Sequence, residues 1–132
     1  MDFKKIFFLF FVVSISYSNE INTTVIGDSI SVMCLDDSKY IVDGKVGRKF
    51  SEVYEVVRRL DKENKLKENV VIELGTNGGF NYNIAIKTIN YLKSKNKKIY
   101  FVNVKVPRKW EQEVNNSLFN IEKKYPYVKV ID

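Results

Sequence analysis

Five short runs rich in β-branched and aromatic residues alternate along the chain with longer stretches of helical period. That alternation limits the possible folds more than any other feature. The runs are Thr23 to Ile26, Tyr40 to Val46, Val70 to Leu74, Ile99 to Val104 and Val128 to Ile131. Between them, Phe50, Val53, Val57 and Leu60 share one helical face, as do Ala85, Thr88, Ile89 and Leu92, and again Val114, Leu118, Ile121 and Tyr125. Strands that alternate with helices pair in parallel through right-handed crossovers. The expected architecture is a three-layer α/β/α flavodoxin-like sandwich around a five-stranded parallel sheet. No Pro- or Gly-rich linker interrupts the array, and 132 residues suffice for one domain.

The first eighteen residues stand apart from this pattern. Lys4 and Lys5 precede an apolar run from Ile6 to Val13, and Ser16-Tyr17-Ser18 then leads into polar Asn19 and Glu20. A basic start, a short apolar core and small residues near a cleavage point make a signal peptide. Residues 1–18 are therefore expected to be an export signal and residues 19–132 the folded domain, exported in a bacterium to the periplasm, cell surface or medium. Contact with the membrane is expected only through the signal.

Composition removes several chemistries. The chain has no His, so these residues hold no imidazole base, no Ser-His-Asp triad and no His-ligated metal. Its single Cys34 forms no internal disulfide, no C-x-x-C pair and no cysteine zinc site. No cofactor and no metal are expected.

In a parallel sheet the residues just after each strand meet at one edge, where ligands bind. After the first strand comes Gly27-Asp28-Ser29-Ile30, with Ser29 opening a short helix; a helix N-cap is the simpler role for that serine. After the second comes Lys45-Val46-Gly47-Arg48, where Gly47 is either a turn residue or a backbone donor left open to a ligand. After the third comes Gly75-Thr76-Asn77-Gly78-Gly79, either a helix-entry loop or a mount for the Asn77 amide. Together the three loops supply a hydroxyl, a backbone N–H and a side-chain amide. Acyl transfer needs that set, because a nucleophilic oxygen attacking an ester generates an oxyanion that wants preorganised donors.

In this order and spacing, Gly27-Asp28-Ser29, the Gly47 loop and Gly75-Thr76-Asn77 resemble blocks I, II and III of the SGNH (GDSL-type) hydrolase superfamily. The segments Asp43 to Arg48, Val71 to Gly78 and Val102 to Glu111 are similar to stretches of the extracytoplasmic SGNH domain of peptidoglycan O-acetyltransferases. The resemblance runs from about Thr24 to Asp132. It implies Ser29 as the nucleophile, with oxyanion donors from the Ser29 and Gly47 backbone N–H groups and the Asn77 side chain. It also implies a cell-wall glycan or other acetylated carbohydrate as substrate.

The fourth block of the superfamily, a D-x-x-H after the fifth strand that supplies base and orienting acid, has no counterpart here. Asp132 falls at a strand end and does not replace it. The chain is accordingly expected to be a truncated copy that lacks the final helix and is weak or inactive as given. The alternatives are a non-catalytic glycan-binding remnant of the fold and, less well supported, a flavodoxin-like nucleotide binder, for which the Gly27 loop has too few glycines and no P-loop Lys.

From Lys87 to Lys109 the chain carries eight basic residues and no acidic one. Most fit a solvated helix end, but Lys105, Arg108 and Lys109 follow the fourth strand at the proposed edge. Arg48 and Arg108 are expected to contact substrate, with anionic wall polymer attracted by the second group. Nucleic acid is not an expected partner of an exported chain.

Overall fold

The computed structural model describes residues 20–132, so the expected signal at 1–18 lies outside the described residues. Five strands form one sheet: β1 (Thr23–Gly27), β2 (Ile41–Gly44), β3 (Asn69–Glu73), β4 (Lys98–Val102) and β5 (Val128–Ile131). Their spatial order is β2-β1-β3-β4-β5 and every pairing is parallel. A short helix, α1 (Ser29–Cys34), follows β1. Three longer ones, α2 (Val53–Lys62), α3 (Tyr82–Ser94) and α4 (Glu111–Lys124), follow β2, β3 and β4.

The strand order decides which face each helix covers. The step from β1 to β2 moves one way along the sheet, whereas β2 to β3, β3 to β4 and β4 to β5 all move the other way. With right-handed crossovers, α1 therefore lies on one face and α2, α3 and α4 on the opposite one. The core follows this division. Val53, Val57 and Leu60 of α2, Ala85, Ile89 and Leu92 of α3, and Val114, Leu118 and Ile121 of α4 pack on Ile26, Val70, Ile72, Ile99, Phe101 and Val128. These strand residues alternate along their chains, as one face of a pleated sheet requires. Each fully buried aliphatic side chain contributes about 1.5–3 kcal/mol relative to leaving it in water, so this face holds the fold together.

The other face is covered by α1 alone among the described residues. Thr23, Val25, Val71 and Val102 there line an open cavity with the inner side of α1, and Ile131 at the far strand is 43% exposed. No helix of the described residues is long and apolar enough to cross a membrane.

Local chemistry sets the element ends. Asn81 caps α3 by accepting from the Ile84 N–H at 3.0 Å, and Asn64 and Asn96 take left-handed φ values of 58° and 59° just past α2 and α3. The second strand is shorter than its apolar run, ending at Gly44 because Lys45 to Arg48 form a tight turn closed by Arg48 N–H to Lys45 O at 3.1 Å. Phe50 sits in a 3₁₀ turn before α2 rather than within it. The fourth strand stops at Val102 because both polar groups of Val104 are taken by a side chain: its N–H donates to Asn115 Oδ1 and its carbonyl accepts from Asn115 Nδ2, each at 2.8 Å.

Candidate active site

The loops after β1, β2 and β3 meet at the carboxyl edge of the sheet, and one carboxylate ties the first to the third. Asp28 is fully buried. It is the N-cap of α1, accepting from the Ile30 N–H at 3.0 Å, and it also accepts the Thr76 hydroxyl and the Asn77 amide, the latter at 3.4 Å. A buried carboxylate is tolerable only when several donors converge on it, and here three do.

Two of the plainer readings of this edge change as a result. Ser29 is not the helix cap, because Asp28 fills that place; Ser29 is the first helical residue, partly exposed. Among the described residues no hydrogen bond engages its hydroxyl. Gly47 is a turn residue, with φ 78° at the third position of a type II turn where only glycine or asparagine is comfortable. That same geometry leaves its N–H without a partner among the described residues, and the position is exposed. The turn and donor roles are thus compatible.

Asn77 joins the two sides. Its Nδ2 reaches Asp28 Oδ2 next to Ser29 and the Arg48 carbonyl next to Gly47, the second at 3.3 Å. The amide that the sequence places on the third loop is therefore seated between the first and second loops.

Arg48 occupies a different place from the one its sequence position suggests. It is only 5% exposed. Its guanidinium is bound to the Asp43 carboxylate at 2.8 Å and donates to the carbonyls of Asp43 and Gly27 at 2.9 and 3.3 Å. Asp43 also binds Arg59 at 2.7 Å. Burial pushes the Asp43 carboxyl up, but the hydrogen bonds from Arg59 and Arg48 outweigh it and hold it below its ordinary range. Arg48 is spent on fastening the turn after β2 to the ends of β1 and β2, with its Nε left unpaired. A guanidinium so enclosed holds the Gly47 loop and is not free to grip a substrate.

Arg108 is exposed at the same edge, its guanidinium carbon 6.0 Å from the centre of the Trp110 ring. Trp110 in turn donates from Nε1 to the Thr76 carbonyl at 3.3 Å, bringing the segment after β4 against the Asn77 loop. Asp132 lies at the end of β5, exposed and accepting from Asn103 Nδ2 at 3.2 Å.

Three participants escaped the sequence reading. Thr76 binds Asp28. Ser31, buried in α1, donates its hydroxyl to Glu73 Oε1 at 2.9 Å. Glu73 itself has its carboxyl pushed up to about 7, chiefly by burial and further by the neighbouring Asp28 charge, with the Ser31 hydroxyl acting the other way. The signal for Glu73 was in the sequence: one carboxylate at the end of the otherwise apolar strand Val70-Val71-Ile72, followed by Leu74. Among the described residues no group of three or more His, Cys, Asp or Glu side chains is placed to hold a metal ion.

No protein-family model matches the chain. In sequence it is similar to "Putative peptidoglycan O-acetyltransferase YrhL" of Bacillus subtilis, at 40% identity over 115 residues, covering 81% of this chain and 17% of the relative. It is also 35% identical over 118 residues to "Peptidoglycan O-acetyltransferase OatA" of Listeria monocytogenes, covering 83% of this chain and 18% of that one. The chain thus spans about a fifth or less of the length of these relatives. Among solved structures it is similar to the psychrotrophic esterase EstA of a Pseudoalteromonas species, with a TM-score of 0.67 at 16% identity, covering 83% of this chain and 77% of the esterase. The C-terminal catalytic domain of Streptococcus pneumoniae OatA superposes with a TM-score of 0.65 at 19% identity, covering 83% of this chain and 68% of that domain.

Proposed function

The chain belongs to the SGNH-type superfamily and is related to one segment of the peptidoglycan O-acetyltransferases, and on that premise we propose that it is a serine acyl-transfer domain acting on O-acetyl esters of cell-wall glycan. The observation that carries the reading is the Asn77 amide, which bridges the carboxylate beside Ser29 and the carbonyl beside Gly47. It brings a hydroxyl with no capping duty, a free turn N–H and a side-chain amide to one edge.

In this reading the Ser29 oxygen attacks the acetyl carbonyl carbon, and the carbonyl oxygen becomes an oxyanion facing the Ser29 and Gly47 N–H groups and the Asn77 amide, which turns one of its two N–H bonds from the Arg48 carbonyl to the oxyanion. Removing one such donor typically costs about 10²–10³ in rate. Collapse expels the alcohol of the donor ester and leaves acetyl-Ser29. Water or a sugar hydroxyl then attacks the same carbonyl, which makes hydrolysis and transfer two fates of one intermediate. Arg48 serves this site by fixing the turn that presents Gly47, and Arg108 remains the exposed cation available to an anionic glycan.

The serine proton needs an acceptor. With no His among the 132 residues, acylation by the chain as given relies on solvent bases and is slow, since loss of a triad base leaves only about 10³–10⁴ of catalysis over water. The lack of His also favours a second reading, a glycan-binding domain without turnover. Export to the cell surface, with residues 1–18 as signal, belongs to both.

Stopped-flow release of 4-nitrophenolate from 4-nitrophenyl acetate separates them. Acyl transfer predicts release of up to one equivalent above background from the parent chain and none from Ser29→Ala. Equal traces from the two proteins, together with binding of O-acetylated glycan that is indifferent to Ser29→Ala, would establish the second reading.

A further inference from the structure

Beneath α1, on the sheet face that carries no long helix among the described residues, the Glu73 carboxyl lies within reach of the Asp28 charge. Asp28 belongs to the loop after β1 and Glu73 to the end of β3, which pairs in register with the end of β1 at Gly27. Burial and the nearby Asp28 charge together push the Glu73 carboxyl up to about 7. Asp28 already accepts from the Ile30 N–H, the Thr76 hydroxyl and the Asn77 amide.

The second contact of Glu73 reaches the helix that carries Ser29. The Ser31 hydroxyl donates to its Oε1 at 2.9 Å, and the close approach is built into the backbone: a Cβ added at Gly27 would lie 1.9 Å from Ser31 Oγ. Few other groups compete for the carboxyl. The cavity it lines, of about 280 Å³, is walled by Val25, Ile30, Val71 and Val102. The titratable groups facing it are Asp28 from the loop after β1, Cys34 from α1 and Tyr40 from the segment before β2, and among the described residues no basic side chain lines the cavity.

We propose that Glu73 is a positioning residue for the nucleophile helix: it accepts from Ser31 and so ties α1, with Ser29 at its start, to the end of β3. This deepens the acyl-serine reading and rests on it. Ionisation of Glu73 adds a second negative charge near Asp28 in a partly apolar setting. The Ser31 hydroxyl still donates to the carboxylate, but the charge repels the Asp28 end of the same helix, and α1 loosens on the end of β3.

The direction with pH follows. The ordinary Glu value is 4.5 and the folded chain raises it to about 7. The contribution to stability is complete below pH 4.5 and is lost as pH rises from there through about 7. The local loosening of α1 is centred near 7, where the folded protein releases the proton.

Glu73→Gln tests this, because a glutamine amide accepts from Ser31 and stays uncharged near Asp28 at every pH. Thermal midpoints of the parent, Glu73→Gln and Glu73→Ala are followed by circular dichroism from pH 4.5 to 8.5. In parallel, mass spectrometry follows the rate at which phenylmethylsulfonyl fluoride labels Ser29. The expected result is a parent midpoint that declines across pH 4.5–7, a Glu73→Gln midpoint that matches the parent at pH 5 and declines less, and a low midpoint for Glu73→Ala throughout. The ratio of parent to Glu73→Gln labelling rates should fall several-fold between pH 6 and 8. A Glu73→Gln midpoint with the parent's pH dependence, or one already as low as Glu73→Ala at pH 5, overturns the proposal, as does a labelling ratio that stays constant. If no protein labels at any pH, the acyl-serine reading fails, whereas the midpoints still decide whether a protonated Glu73 holds α1.

Discussion

Replacing Arg48 with Met distinguishes a substrate-gripping arginine from one that builds the site. The wild-type guanidinium makes one charge-assisted bond to Asp43 and two to carbonyls, at 2.8, 2.9 and 3.3 Å. Losing the first costs about 1.5–3 kcal/mol. The Gly27 carbonyl keeps its bond from the Lys45 N–H at 3.2 Å, so only the Asp43 carbonyl loses a donor, at about 1 kcal/mol. Removing the unpaired Nε returns about 1 kcal/mol. Asp43 keeps Arg59 at 2.7 Å and is not left alone, so the net loss lies below the 3–5 kcal/mol of a fully broken buried pair. We expect Arg48→Met to cost about 1.5–3 kcal/mol in urea unfolding and to lower the thermal midpoint by roughly 10 °C. Arg59→Met, at a half-exposed position, should cost less than about 1 kcal/mol. A change below about 0.5 kcal/mol in Arg48→Met, with weakened glycan binding instead, would refute the structural role and restore Arg48 as a substrate contact.

Other consequences are open to measurement. Asn115→Ala leaves the N–H and carbonyl of Val104 without partners and should cost about 2–3 kcal/mol in urea unfolding, more than an ordinary surface change. Trp110→Phe removes the bond to the Thr76 carbonyl at a cost of about 1 kcal/mol, and it should slow sulfonylation of Ser29 by more than that stability loss explains. Because the folded chain lowers the Asp43 carboxyl from 3.8, the stability it supplies is present above that value and is lost as pH falls below it. Asp43→Asn should therefore flatten the acid limb of the stability profile.

The fold was legible because its two periodicities are strong and do not overlap. The stripes at Val53, Val57 and Leu60 and at Val114, Leu118 and Ile121 became core faces, and the five apolar runs became five parallel strands. Element ends were less legible, since they depend on tertiary partners: nothing local marks Asn115 as the side chain that takes both polar groups of Val104. At the site, the positions of Ser29, Gly47 and Asn77 followed from the rule that parallel strands end at one edge. Arg48 misled because an arginine after a strand reads as exposed, while its burial depends on Asp43, five residues back on the edge strand. In the sequence Asp28 is simply the residue before Ser29, yet it is the carboxylate on which Ile30, Thr76 and Asn77 converge. Glu73 announced itself only as an ill-fitting charge among Val70, Val71, Ile72 and Leu74, and its partner Ser31 becomes visible only once α1 lies across the strand.

The central claim is that Ser29 takes the acyl group. Peptide-level mass spectrometry of the chain quenched after brief exposure to 4-nitrophenyl acetate reads this most directly. The account predicts one acetyl group on the hydroxyl of Ser29, formed more slowly in Asn77→Ala and absent in Ser29→Ala. Acetylation confined to surface lysines, or spread over Ser31, Ser38 and Ser51 as readily as Ser29, would contradict it.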